Sequence, residues 1–215
     1  MILFLATGGI ISRNMNDIPI KIFLLIYFIF YYGVLFVLNS YIVYKRTGKN
    51  PYVLGKSKGI LSFTENGIKV TGIIIPLIVI VFILSQEIYR WLIPIQYLEK
   101  VYLDLIGISI MFLGFVICLS AQYYMRSSWR IGIEINSEVK LVTRGIFKYS
   151  RNPFFLGTLL SYLGFFLVLP NILSFTVGVV YYFLIQIQVR LEEENMNNTL
   201  GNSYQNYCAK VRRWI

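Results

Sequence analysis

The chain has 215 residues, of which 57% are hydrophobic, 17% aromatic and only 14% charged, so its apolar surface cannot be buried inside a water-soluble globule. The formal charge of +10 comes from 20 Lys plus Arg against 10 Asp plus Glu, but the basic residues fall in connecting segments and so describe a membrane topology, not a nucleic-acid partner. The absence of histidine removes the commonest metal ligand and the commonest acid-base group together, while two cysteines, Cys118 and Cys208, give neither a disulfide frame nor a metal-ligand spacing.

The opening MILFLATGGII lacks a basic leader, which argues against a cleaved signal peptide and fits an interfacial segment or the stub of a helix. A spanning helix needs about 20 apolar residues, and 22–44 provides the first, stopping at Lys45 and Arg46. Residues 45–69 mix Gly, Pro, Lys and Ser and read as a solvated connector without chemistry. The second span, 70–86, contains Gly72 and Pro76, tolerable where a neighbouring helix satisfies the carbonyl that proline frees. Residues 87–100, with Tyr89, Trp91, Pro94 and Tyr97, suit an outer loop in the aromatic interface, and Asp104 reads as an interfacial charge. The third span, 101–121, carries Gly107 and Gly114, small residues that permit close helix contact.

Beyond it, Ile131, Ile133 and Ile135 alternate with polar residues, as in a short extended or surface-lying piece. Two further apolar runs, 154–169 and 172–189, are broken only by Pro170 and Asn171 and form a hairpin. Its first arm of 16 residues makes about 24 Å of helix, short for a bilayer. Gly157 and Gly164, seven residues apart on one face, leave room beside that arm for a lipid tail. In the tail, Tyr204, Tyr207, Val211 and Trp214 recur at helical spacing, the pattern of an amphipathic surface helix. The fold class expected is therefore all-α: a polytopic membrane protein with about five transmembrane helices and a C-terminal amphipathic helix. Sixteen of the basic residues lie on one side of this topology and four on the other, which makes the crowded side, with the C-terminus, cytoplasmic.

The hairpin returns two polar clusters to the same membrane face: LVTRGIFKYSRNPFFLG at 141–157 and RLEEE at 190–194. Gly145, Phe147, Arg151, Pro153, Phe155 and Gly157 in the first, followed by Glu192, Glu193, Leu200, Gly201, Tyr204, Tyr207, Val211 and Arg213, form a pattern that resembles the integral-membrane isoprenylcysteine carboxyl methyltransferases. Met196 stands where that family usually has leucine, Asn152 where it has histidine, and Phe147 and Phe155 where tyrosine is frequent. The resemblance covers the C-terminal part, 122–215, and sets it as the methyltransferase core, with 1–121 as N-terminal transmembrane helices.

The resemblance implies S-adenosyl-L-methionine as cofactor, bound by Val139, Lys140, Leu141, Val142, Phe147, Asn152, Pro153, Phe154, Phe155 and Glu192. No G-x-G-x-x-G follows a predicted strand, so a Rossmann-type site is excluded. The family methylates the carboxylate of a prenylated cysteine. Such a group, with a pKa of about 3.5, is ionised at neutral pH, so no catalytic base is assigned and the residues sought are cations that orient it: Arg190 and Arg151, with Arg213 as an alternative. The implied partners are a lipophilic or prenylated substrate and membrane lipid, without nucleic acid or metal, at a site on the cytoplasmic face. Two other readings stand beside this one: a phospholipid N-methyltransferase of similar build, and a non-catalytic membrane protein that retains the fold.

Overall fold

Hydrocarbon offers no partner for a backbone N–H or C=O, so each apolar run must close its own hydrogen bonds as a helix. The computed structural model describes residues 18–52, 59–130, 132 and 141–215; the opening stretch and the alternating piece at Ile131, Ile133 and Ile135 lie outside the described residues. The helices are α1 (Ile18–Thr47), α2 (Gly59–Leu84), the single turn and a half of α3 (Gln86–Arg90), α4 (Val101–Met125), α5 (Pro153–Val168), α6 (Ile172–Leu200) and α7 (Asn202–Cys208). Four of them, α1, α2, α4 and α6, are long and apolar enough to cross a membrane, and α5 is the short fifth. Their outward faces carry exposed Ile26, Phe30, Ile73, Ile80, Phe112, Val116, Val179 and Phe183, a surface that only lipid can cover. The chain is an integral membrane protein.

Two helices overrun their expected limits. α2 begins at Gly59, not at residue 70, because Leu61, Thr64, Thr71, Ile75, Ile78 and Phe82 form one buried face that continues into the supposed connector. α6 runs to Leu200, and its 29 residues make about 43 Å of helix against a hydrocarbon core of about 30 Å. Its last turns therefore stand beyond the apolar slab. The C-terminal helix is shorter than the periodicity implied: it ends at Cys208, and Val211 to Trp214 fold back onto the protein.

The most extensive helix contact joins α4 to α5. It is made of backbone. A Cβ on Gly107 would lie 2.7 Å from the Gly164 carbonyl oxygen, and one on Gly114 would lie 2.5 Å from that of Gly157. The two glycine pairs share a seven-residue spacing and meet antiparallel, so the close contact expected of Gly107 and Gly114 is present. The lipid-sized gap expected beside Gly157 and Gly164 is not, since α4 fills it.

Several polar groups inside the bundle are satisfied by tyrosine or glutamine side chains. Pro76 lacks the N–H that would bond the Gly72 carbonyl, and the Tyr32 hydroxyl donates to that oxygen at 2.6 Å. A π-helical turn in α1, Gly33–Leu38, is matched by Gln122 Nε2, which donates to the Leu35 carbonyl at 2.7 Å. Tyr27 donates to Met111 O and Ser161 Oγ, and Tyr181 to Thr158 Oγ1 while stacking on Tyr162 with ring centroids 3.9 Å apart. At the far end, Asn171 and Ser174 form a reciprocal cap on α6, and the outer loop is tied to the hairpin turn by Ile95 N–H to Pro170 O and Ile172 N–H to Ile93 O. Trp91 and Tyr97 in that loop are exposed, as interface aromatics are, whereas Asp104 is buried in the first turn of α4.

Gly157→Ala places its new methyl 2.6 Å from both Cys118 Sγ and Gly114 O, an overpacking that costs about 1–3 kcal/mol. Gly178→Ala, on α6, meets nothing within 4 Å and is expected to be neutral or slightly stabilising. Thermal unfolding in detergent separates the two; equal midpoints would mean that the α4–α5 contact is looser than described.

Candidate functional site

The R-N-P turn is positioned by its neighbours before its charges act. Gly145 opens a 3-10 turn, Gly145–Lys148, at φ +62° with its Cα against the Tyr124 ring, so both conformation and space require glycine. Pro153 begins α5, where its fixed φ suits a first turn and its missing N–H is no loss. Between them, Arg151 and Asn152 face α6 and the tail.

Adjacent residues on a helix point about 100° apart, and α6 uses this to separate its glutamates. Glu193 shares a face with Arg190 and Asn197 and turns toward the tail, with Glu194 flanking it at the edge of the same cleft. Glu192 shares the other face with Tyr181, Ile185, Gln188 and Val189, turned toward α2.

Glu193 is the junction. Its Oε1 accepts from Arg151 Nε at 3.1 Å and Asn152 Nδ2 at 3.1 Å. Its Oε2 accepts from Arg151 Nη2 at 3.3 Å and from Arg213 Nε and Nη2 at 3.0 and 2.8 Å. Asn152 Nδ2 gives its second hydrogen to the Arg213 carbonyl at 3.3 Å, so both amide hydrogens of this asparagine are used in the junction. Further bonds bind turn to tail: Arg151 N–H to Arg212 O, Arg151 Nη1 to Val211 O, and Ser150 Oγ to Arg213 O. Burial raises the Tyr207 phenol to about 12, so it stays a donor and bonds the Phe147 carbonyl at 2.7 Å.

Beside this junction lies a cleft of about 450 Å³ lined by Arg151, Arg190, Glu193, Glu194, Tyr204, Cys208 and Arg213 among others, within the roughly 300–1,000 Å³ of ligand sites. Of the residues expected to touch ligand, Arg151 and Arg190 line it. Arg151 and Arg213 are committed to Glu193, whereas Arg190 is exposed and has no ionic partner among the described residues.

The residues expected around the cofactor are distributed differently. Val139 and Lys140 lie outside the described residues, and Leu141 and Val142 are half-buried in coil. Phe147 and Asn152 are buried in the junction. Phe154 packs on Phe36 of α1, while Phe155 packs with Trp214 against Tyr181, Ile185 and Val189. Glu192 accepts from Gln188 Nε2 at 3.1 Å and interacts electrostatically with Glu65 of α2. Glu65 was hidden in a stretch read as a connector, yet it is fully buried; its place in the Leu61–Thr64–Ile68–Thr71–Ile75 periodicity was the signal that marks an inward-facing acid.

A helical membrane protein with a charged cleft where α6 leaves the apolar slab is the class that fold and site define. Residues 102–203, just under half of the chain, match a family described as phospholipid methyltransferase, a membrane methyltransferase family; the narrower isoprenylcysteine resemblance is not singled out by that match. The comparison with curated proteins gave no match.

Glu193→Ala would leave two arginines facing one another and cut the tail's ionic anchor. Breaking a buried pair costs about 3–5 kcal/mol, and partial exposure of Arg213 places this one at the lower end. Trypsin should then cleave at Lys210 and Arg212 at least tenfold faster than in the wild type, while Glu194→Ala leaves the rate unchanged. Identical digestion of Glu193→Ala and wild type would show that the tail is held by something else.

Proposed function

We propose that the protein is an S-adenosyl-L-methionine-dependent membrane methyltransferase acting on a lipophilic acceptor, with 122–215 as the catalytic part and 1–121 as its membrane frame. The observation that carries this reading is the convergence of Arg151, Asn152, Glu193 and Arg213, from three segments distant in sequence, beside one cleft. Two of these segments, those of Arg151 with Asn152 and of Glu193, fall within the match to a methyltransferase family, which supports it.

The donor set suits the cofactor. When bound, it supplies an electrophilic methyl group on a cationic sulfonium, with an amino-acid end, ribose hydroxyls and a flat adenine. Glu192 offers carboxylate oxygens to hydroxyl or ammonium hydrogens, and Gln188 Oε1, buried and without a hydrogen-bond partner among the described residues, offers another acceptor nearby. Pro153, Phe154 and Phe155 provide apolar surface, and Val139, Lys140, Leu141, Val142, Phe147 and Asn152 complete the set that the resemblance assigns to the cofactor.

For the acceptor, the reading is the carboxylate of an isoprenylcysteine-like molecule. Arg190, the uncommitted cation of the cleft, would orient it, and Arg151 would hold the wall beside it. The attacking oxygen needs no base; the protein's task is to hold it in line with the methyl group away from water. The second reading, a phospholipid N-methyltransferase, is favoured by the description of the matching family. An ammonium must lose a proton before it attacks, so its rate would rise about tenfold per pH unit below an amine pKa of about 10, whereas a carboxylate acceptor gives a flat profile above pH 5. The charge asymmetry of the loops supports a cytoplasmic site.

Calorimetry with S-adenosylhomocysteine on the detergent-purified protein tests the reading. Saturable binding is expected, and Glu192→Gln should weaken it about tenfold or more, with Glu194→Gln near wild type. Absence of saturable binding would overturn the methyltransferase reading; equal effects of the two substitutions would displace Glu192 from the cofactor.

A further inference from the structure

The charges that line the cleft divide into two sets. Arg151, Glu193 and Arg213 are tied together in the junction, and Gln205 Nε2 of α7 donates to Asn197 Oδ1 of α6 at 3.2 Å. Arg190 and Glu194 are left over. Both line the cleft, both are exposed, and neither has a hydrogen bond or an ion pair among the described residues.

Nor do they satisfy each other. Residues four apart on a helix have Cβ atoms about 5–6 Å apart, within reach of a salt bridge, but here the cation precedes the anion. That is the weaker order, because the helix dipole favours an acid nearer the N-terminus and a base nearer the C-terminus. The guanidiniums of Arg151 and Arg213 are already drawn to Glu193, so Glu194 gains nothing from them.

The two charges also stand at different heights. Arg190 is the first residue after the apolar run 172–189 and so marks the edge of the hydrocarbon, while Glu194 lies about 6 Å further out along α6. A cation at the boundary with an anion beyond it is the complement of an amphiphile whose anionic group adjoins its tail and whose ammonium points outward. The cleft, of about 450 Å³, has room for such a head while the tail remains in lipid.

We infer that Glu194 is a specificity-determining residue, which holds a protonated amine of the acceptor while Arg190 holds the acceptor's anion, so that the cleft selects lipophilic zwitterions over lipophilic anions. The inference rests on the proposed methyl transfer for calling this ligand the acceptor, not for its binding. Two sources carry that chemistry: a phospholipid head group and the amino-acid end of a prenylated cysteine.

The test measures lipid retention by native mass spectrometry on the full-length protein in maltoside micelles, with two matched pairs of probes. Phosphatidylethanolamine is compared with phosphatidylglycerol, and S-farnesylcysteine with its N-acetyl derivative; in each pair only the first member carries an ammonium. In at least one pair, wild type should bind the ammonium-bearing member about tenfold more tightly, as expected for a charge-assisted hydrogen bond. The pair that responds identifies the source. Glu194→Gln should abolish the preference by weakening that member alone, and Arg190→Gln should weaken both members. No preference in either pair, a preference that survives Glu194→Gln, equal weakening of both members by Glu194→Gln, or unchanged binding in Arg190→Gln would each overturn the inference. S-adenosylhomocysteine calorimetry runs beside it. Failure of wild type to bind the nucleoside would sink the methyl-transfer reading and leave the lipid result standing, whereas a tenfold loss of nucleoside affinity in Glu194→Gln would assign that carboxylate to the cofactor and overturn the inference.

Discussion

One carboxylate holds the functional end of this protein together. Glu193 stands where α6 has left the apolar slab and gathers N–H donors from Arg151, Asn152 and Arg213. Removing its charge from water is costly unless every lone pair is used, and here they are. Two guanidiniums on one carboxylate leave the cleft with a net positive wall, where Arg190 is offset by Glu194. The shape of the cleft and its sign follow from the same residue.

The pairing of Glu192 with Glu193 has a geometric meaning that neither residue has alone. Neighbours on a helix diverge by about 100°, so consecutive glutamates serve two surfaces: one fastens the tail, the other enters the bundle toward α2. A single glutamate could do either task, and a pair spaced by three or four residues would do one task twice.

The fold was legible because its determinants are local. Runs such as 101–121 and 172–189 must be helices in lipid, and Pro170 with Asn171 breaks them in one place. Their ends were less legible. The start of α2 was obscured because Lys56, Lys58 and Gly59 look like a linker when read as composition, while Leu61, Thr64 and Ile68 continue the buried stripe when read as periodicity. The tail misled for the opposite reason: Val211 and Trp214 keep helical spacing, but Arg212 and Arg213 offer their carbonyls to the R-N-P turn, and those bonds replace a further helical turn. At the site, the meeting of Arg151 with Glu193 was readable as opposite charges returned to one face. That Arg213 would share the same carboxylate depends on packing between segments that no local pattern records. The glycines of α5 were readable as small, but not as occupied by those of α4.

That last contact bears on how the protein can move. Where helices meet through long side chains, rotamer changes let them slide; where carbonyl oxygens rest against Cα atoms, as at Gly107 with Gly164 and Gly114 with Gly157, there are no rotamers to change. The pair α4–α5 behaves as a single stiff plank. Any opening and closing during a reaction cycle must then be carried by α6, α2 and the tail around it, with the R-N-P turn, fixed to the plank through Pro153, as the stationary jaw.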